Sequence, residues 1–136
     1  MVPLSGFRFT NPFLVKLTYD INPSFDVKKE LAEFNFPVAL NVARSNQQAH
    51  ESDVILECIL GDEEQSSPFR LSITMQATFQ WGNDYSDDMV EKLLSQNAPS
   101  LLLSYIRPHV VQITDASPFA TVHIPFLDFT QMASDS

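Results

Sequence analysis

The side chains best suited to proton transfer or metal ligation near neutral pH are His50, His109 and His123, and they lie far apart along the chain. No His-Glu-x-x-His run and no grouping of histidine with cysteine surrounds any of them, and Cys58 is the single thiol. A metal centre is not expected. With 3 glycines the chain cannot build a phosphate-cradling loop or a dinucleotide fingerprint, so no nucleotide cofactor is expected either. Ser104, His109 and Asp115 supply the residue types of a hydrolytic triad, yet no nucleophile elbow surrounds any serine. His109 and His123 read better as solvated surface histidines, and Asp62, Glu63 and Glu64 as solvated charge in a turn. No catalytic residue is assigned, and an enzyme is not expected.

What the chain has in excess is aromatic surface. Phenylalanine accounts for 11 of 136 residues, and Phe25, Phe34, Phe36, Phe119, Phe126 and Phe129 flank the regular elements rather than lying in them. Most of these suit a core, but exposed residues of this kind are also what a groove with loose selectivity for apolar segments requires. The connection over 22–37 concentrates them, holding Phe25, Leu31, Phe34 and Phe36 among Asp26, Lys28, Lys29, Glu30 and Glu33. It reads either as a packed crossover whose phenylalanines plug the core or as an apolar flap that holds a ligand or client.

The elements that position these residues are legible in the hydrophobic periodicity. Phe69, Leu71, Ile73, Met75, Ala77, Phe79 and Trp81 alternate with polar residues, which predicts a strand with one buried face. After Gly82-Asn83-Asp84, Ser86 is a helix N-cap, and Asp87 and Asp88 sit where the helix dipole favours negative charge. Apolar residues recur at helical spacing from Val90 to Ile113, and kinks or breaks are expected just before Pro99 and Pro108. Upstream, Phe13, Val15, Leu17, Tyr19 and Ile21 predict a first strand, extended by Phe7 and Phe9 past a bulge or break at Asn11-Pro12. Val38, Leu40 and Val42 mark a second, with Asn41 and Arg44 outward and a turn over 45–48. A third spans 53–60 and, apolar on both sides, should be central or covered.

Strands followed by helix define an α+β domain with an antiparallel sheet, and one domain over 1–136 is expected. A helical pattern of about thirty residues spans roughly 45 Å, more than a four-stranded sheet covers. Its surplus apolar surface, at Leu101, Leu102, Tyr105 and Ile106, is expected to meet another subunit. The net charge of -9 makes nucleic acid and anionic membrane poor partners. No apolar run is long enough for a membrane span, the N-terminal residues do not read as a signal peptide, and the lone cysteine fits a reducing cytoplasm.

The run Ala98-Pro99-Ser100-Leu101-Leu102-Leu103-Ser104-Tyr105-Ile106-Arg107 resembles the long-helix motif of the SecB protein-export chaperone family. Colinear with it, Ser24-Phe25-Asp26 resembles that family's Ser-Phe-acidic tripeptide at the end of the first strand. Pro37 with Val38, Leu40 and Val42 resembles the start of the second strand, and Asp128-Phe129 the Asn-Phe opening the last helix. Departures fall at Asn35, which lacks the family's aromatic, at Ser117, which replaces a glycine, and at Ser72, which replaces a carboxylate contributing to the SecA contact. The last helix and acidic tail also look short.

The resemblance implies a four-stranded antiparallel sheet with a long kinked helix on one face and a short C-terminal segment. It implies a homo-oligomer, dimerising through first strands and assembling as a dimer of dimers through the long helices. The function it implies is an ATP-independent holdase for unfolded or nascent polypeptides, with Phe25, Leu31, Phe34, Phe36, Phe126 and Phe129 lining the client groove. SecA binding is expected to be weak or missing. A chaperone devoted to one client, such as an antitoxin, is a variant; a small apolar-ligand carrier is the alternative.

Overall fold

The computed structural model describes residues 6–23, 37–61, 67–118, 121–124 and 129. Five antiparallel strands form one sheet: β1 (Arg8–Phe9), β2 (Phe13–Ile21), β3 (Val38–Gln48), β4 (Glu51–Leu60) and β5 (Phe69–Gln80). β4 lies between β3 and β5, and β1 and β2 share the far side of β5. Helix α1 (Asp87–Lys92) and helix α2 (Ala98–Asp115) follow, joined by a π-helical turn over Leu93–Asn97. The expected α+β architecture therefore holds, with its first strand cut in two. Thr10 still donates its N–H to the Thr78 carbonyl at 2.9 Å. The ladder lapses at Asn11-Pro12, where proline has no N–H to give.

Two strands build the core. In β5, Phe69, Leu71, Ile73, Met75, Ala77 and Phe79 are all buried, and Trp81 just beyond the strand is buried with them. Cross-strand partners share a side of an antiparallel sheet. Leu60 therefore joins Leu71, Cys58 joins Ile73, Leu56 joins Met75 and Val54 joins Ala77. On this face lies the stripe Ala98, Leu102, Ile106, Val110 and Thr114, one residue per turn of α2 and each of them buried. The central strand expected at 53–60 is thus covered on its helix side.

The register of β2 departs from simple alternation. Leu14 pairs with Met75 and Lys16 with Thr74, so Val15 is a bulge residue. One extra residue exchanges the two faces. Leu14, Leu17, Tyr19 and Ile21 share the helix side, while Phe13 stands with Gln76 on the other. The turn expected over 45–48 also moves: β3 runs on to Gln48 through a bulge, and the turn is Ala49-His50. Asn46 makes this possible by taking φ 53, a conformation asparagine tolerates. Arg44, expected outward with Asn41, pairs with Val54 and lies on the helix side.

Helix entry follows the expectation, with Ser86 accepting from the Met89 N–H at 3.2 Å. Before Pro99 the chain widens into the π-turn, where the Ala98 N–H reaches the Leu93 carbonyl. Proline lacks the donor for the next α-type bond, and the wider turn absorbs its ring. At Pro108 α2 continues unbroken, the ring lying on the exposed side. Gly61 closes β4 at φ +89, and an added Cβ would meet the Phe69 carbonyl oxygen at 2.2 Å. After α2, the Val122 N–H donates to the Thr114 hydroxyl at 2.9 Å, tying the C-terminal segment to the helix end.

Because Leu102 is 0% exposed, Leu102→Ala should cost about 2–5 kcal/mol. It should leave the mass of the folded protein unchanged. Chemical denaturation with parallel light scattering checks this; dissociation without loss of stability would place Leu102 at a subunit contact instead.

Candidate functional site

The expected client-binding residues separate into two groups. Phe25, Leu31, Phe34, Phe36 and Phe126 lie outside the described residues. Phe129 is 4% exposed and packs into the core of the single chain. On one side of the crossover the Asn22 N–H donates to the Pro68 carbonyl at 2.9 Å and its side-chain amide to the Ser67 carbonyl at 3.1 Å. On the other the Gly61 N–H donates to the Pro37 carbonyl at 3.1 Å. Both crossover ends are thereby fastened to the connection between β4 and β5.

The expected oligomer contacts divide by helix face. Leu102 and Ile106 are 0% exposed within a single chain and have no side-chain surface left for a partner. Their one-turn spacing places them on the stripe that covers β4 and β5. Leu101 is half-buried, and Tyr105 remains 40% exposed with its ring edge-on to Phe9 at 6.5 Å.

Surplus apolar surface lies elsewhere, on the sheet edge. Phe9, Phe13, Leu14, Val15, Leu17 and Ile21 are between 37% and 51% exposed. Among the described residues the outer side of β2 has no strand partner. Helix α2 packs over β4 and β5, leaving the edge strand uncovered even where its residues share the helix side. The signal missed in the sequence is the consecutive run Phe13-Leu14-Val15, apolar on both faces of a strand that begins directly after Pro12. The opposite edge, β3, likewise has a free side among the described residues, over 11 residues.

The face of the sheet turned away from the helix is polar and its groups are largely satisfied. Asp53 accepts from the Thr78 hydroxyl at 2.5 Å, the Asn46 amide at 2.8 Å and the Gln76 amide at 3.4 Å. The Thr78 bond, with help from the amides, holds the Asp53 carboxyl below its ordinary 3.8. Asn41 donates to Glu57 at 2.9 Å and Gln80 to Glu51 at 2.8 Å. Ser72, on the same face between Thr18 and Ile59, is 7% exposed.

The residues with reactive potential are placed apart. Ser104, His109 and Asp115 follow one another along α2, and the ends of that series are separated by roughly 16 Å at 1.5 Å per residue. The Ser104 hydroxyl donates to the Leu101 carbonyl at 2.5 Å, and Asp115 accepts from Thr121. Burial raises the Cys58 thiol to about 11, leaving it protonated and unreactive at neutral pH. Among the described residues there is no group of three or more metal ligands and no helix long and apolar enough to cross a membrane.

Among the described residues the sheet is covered by the helix on one face and keeps a free side on both of its edge strands. The family model of preprotein translocase subunit SecB matches residues 12–136, and the chain belongs to the SecB family. Among solved structures it is similar to the Mycobacterium tuberculosis SecB-like chaperone in complex with a ChAD peptide from the HigA1 antitoxin. That match has a TM-score of 0.66 and 17% identity, covering 88% of this chain and 90% of the other. It is also similar to a Streptococcus agalactiae protein of unknown function, with a TM-score of 0.50 and 15% identity, covering 91% and 100%. No curated protein matches.

A carboxyl held low in the fold contributes stability above its unfolded value and loses it as pH falls through the folded value. Thr78→Val removes the largest cause at Asp53. The variant should have a lower urea midpoint than the parent at pH 6. That gap should narrow as pH falls below 3.8, and a gap independent of pH would show that Asp53 carries none of it.

Proposed function

We propose that the protein is a cytoplasmic, ATP-independent holdase that binds unfolded or nascent polypeptides. The observation that carries this reading is the likeness to a SecB-like chaperone holding a peptide, in a chain that belongs to the same family. Extended client segments would use main-chain groups along the free side of β3, where an added strand meets the alternate N–H and C=O groups of an edge. Apolar client side chains would meet Phe25, Leu31, Phe34, Phe36 and Phe126.

The neighbour's antitoxin peptide favours a second form of the same reading, a chaperone devoted to one client. An antitoxin gene beside this one would mark that form; a general export role would lack it.

Assembly completes the proposal. An exposed apolar edge strand invites pairing with another chain, and β2 carries the largest exposed apolar side chains of the sheet. A second copy seated there gives a dimer, and Leu101 and Tyr105 remain for contact between dimers. SecA recognition is weak in this reading, because the nearly buried Ser72 stands where the family carries a carboxylate.

Replacing Phe34 and Phe36 by Ser together should abolish suppression of aggregation of an unfolded test protein while leaving the thermal melt nearly unchanged. Core residues would behave oppositely, each truncation costing about 3–5 kcal/mol. A collapsed melt would therefore return both to the core, and intact melt with intact activity would place the client elsewhere.

Light scattering should give a tetramer for the parent chain, a smaller species for Val15→Asp, and no added mass on mixing with SecA. A parent monomer at all concentrations would overturn the assembly. A stable, salt-sensitive complex would overturn the reading of Ser72.

A further inference from the structure

Helix α1 is held in place differently from α2. Val90 is its one buried side chain, at 9% exposed, whereas α2 buries seven. Met89 is 48% exposed, and Asp87, Asp88, Glu91 and Lys92 face solvent. The connection between the helices is the π-turn over Leu93–Asn97, followed by Pro99, which cannot donate the bond that would continue an α-helical ladder across the joint. The joint therefore lacks one donor of the α-helical ladder, and the buried Leu94 anchors it on the α2 side.

Among the described residues one polar contact bridges α1 to the sheet. Arg44 reaches from the helix side of β3 to Glu91, 47 residues away, with Nη1 at 3.0 Å from one carboxylate oxygen and Nη2 at 2.5 Å from the other. The fork matches the carboxylate with two parallel bonds, the geometry that gives an arginine pair its directionality. The Arg44 side chain is 26% exposed and that of Glu91 64%, so the pair is accessible to salt and exchanges with water.

We propose that α1 is a latched flap, pivoting at the π-turn and held against β3 by the Arg44–Glu91 pair. Release of the pair lets α1 swing while α2 stays seated on β4 and β5. Val90 and the apolar surface beneath it then turn towards water beside the free edge of β3. That last step, the gain of apolar surface at a client-binding edge, rests on the holdase reading; the pivot does not.

Hydrogen exchange read by mass spectrometry on the assembled full chain tests the pivot. The parent, Arg44→Gln, Glu91→Gln and the exchanged pair Arg44→Glu with Glu91→Arg would be compared. Amides over 90–93 should exchange about five-fold faster in either single variant, the upper range for an exposed pair. They should return towards the parent rate in the exchanged pair, with amides over 102–114 unchanged throughout. Equal rates in all four proteins, or parallel acceleration in α1 and α2, would overturn the latch. If the flap opens in the single variants while their binding of an unfolded polypeptide stays at the parent level, the latch stands and its link to the client falls.

Discussion

The pairing of β5 on both of its sides is the constraint from which the rest of the structure follows. It hydrogen-bonds to β1 and β2 on one side and to β4 on the other, and it presents six buried residues to the helix. A strand in that position fixes the middle of the sheet, and the one-residue-per-turn stripe of α2 can cover little more than the middle. What remains outside the helix is decided by geometry. Both edge strands, β2 and β3, keep a free side among the described residues, and β2 keeps large apolar side chains in water.

The parts of this arrangement that were legible in the sequence are those where a single period runs without interruption. β5 alternates without a break, so its buried face can be read residue by residue. The helix start is equally readable, because Ser86, Asp87 and Asp88 act within one turn and need no tertiary partner. β2 fails the same reading because the bulge at Val15 exchanges its faces. Alternation cannot reveal an inserted residue when Phe13, Leu14 and Val15 are all apolar. The turn before β4 fails for a related reason. Ser45-Asn46-Gln47-Gln48 has turn composition, yet the side-chain bond from Asn46 to Asp53 holds it in the strand as a bulge.

The helix teaches a different lesson. Its length alone does not say which of its apolar residues the sheet covers, and Leu102 and Ile106, expected to be surplus, are 0% exposed. Leu101 and Leu102 are neighbours in sequence and differ in fate, one half-buried and the other fully enclosed, because successive residues point about 100° apart. Only the stripe Ala98, Leu102, Ile106, Val110 and Thr114 fixes the phase, and Thr114 was not counted among the apolar positions. Its hydroxyl donates to the Val110 carbonyl at 2.7 Å, which lets a polar residue close an apolar stripe without an unsatisfied group.

Polar groups elsewhere are spent in the same way. Asp53 takes three donors from its own sheet, Glu51 and Glu57 each take an amide from a neighbouring strand, and Ser104 turns back onto its own helix. A carboxylate so occupied must lose internal bonds before it can ligate a metal or accept a substrate proton, which opposes reactivity. The backbone of an edge strand carries no such penalty, since its outward N–H and C=O groups exchange water for a partner of the same hydrogen-bonding kind. Satisfied side chains together with open main-chain edges favour recognition that is tolerant of sequence. Selectivity in such recognition falls to apolar side chains at the margins of the sheet, where among the described residues most of the exposed large hydrophobic side chains lie.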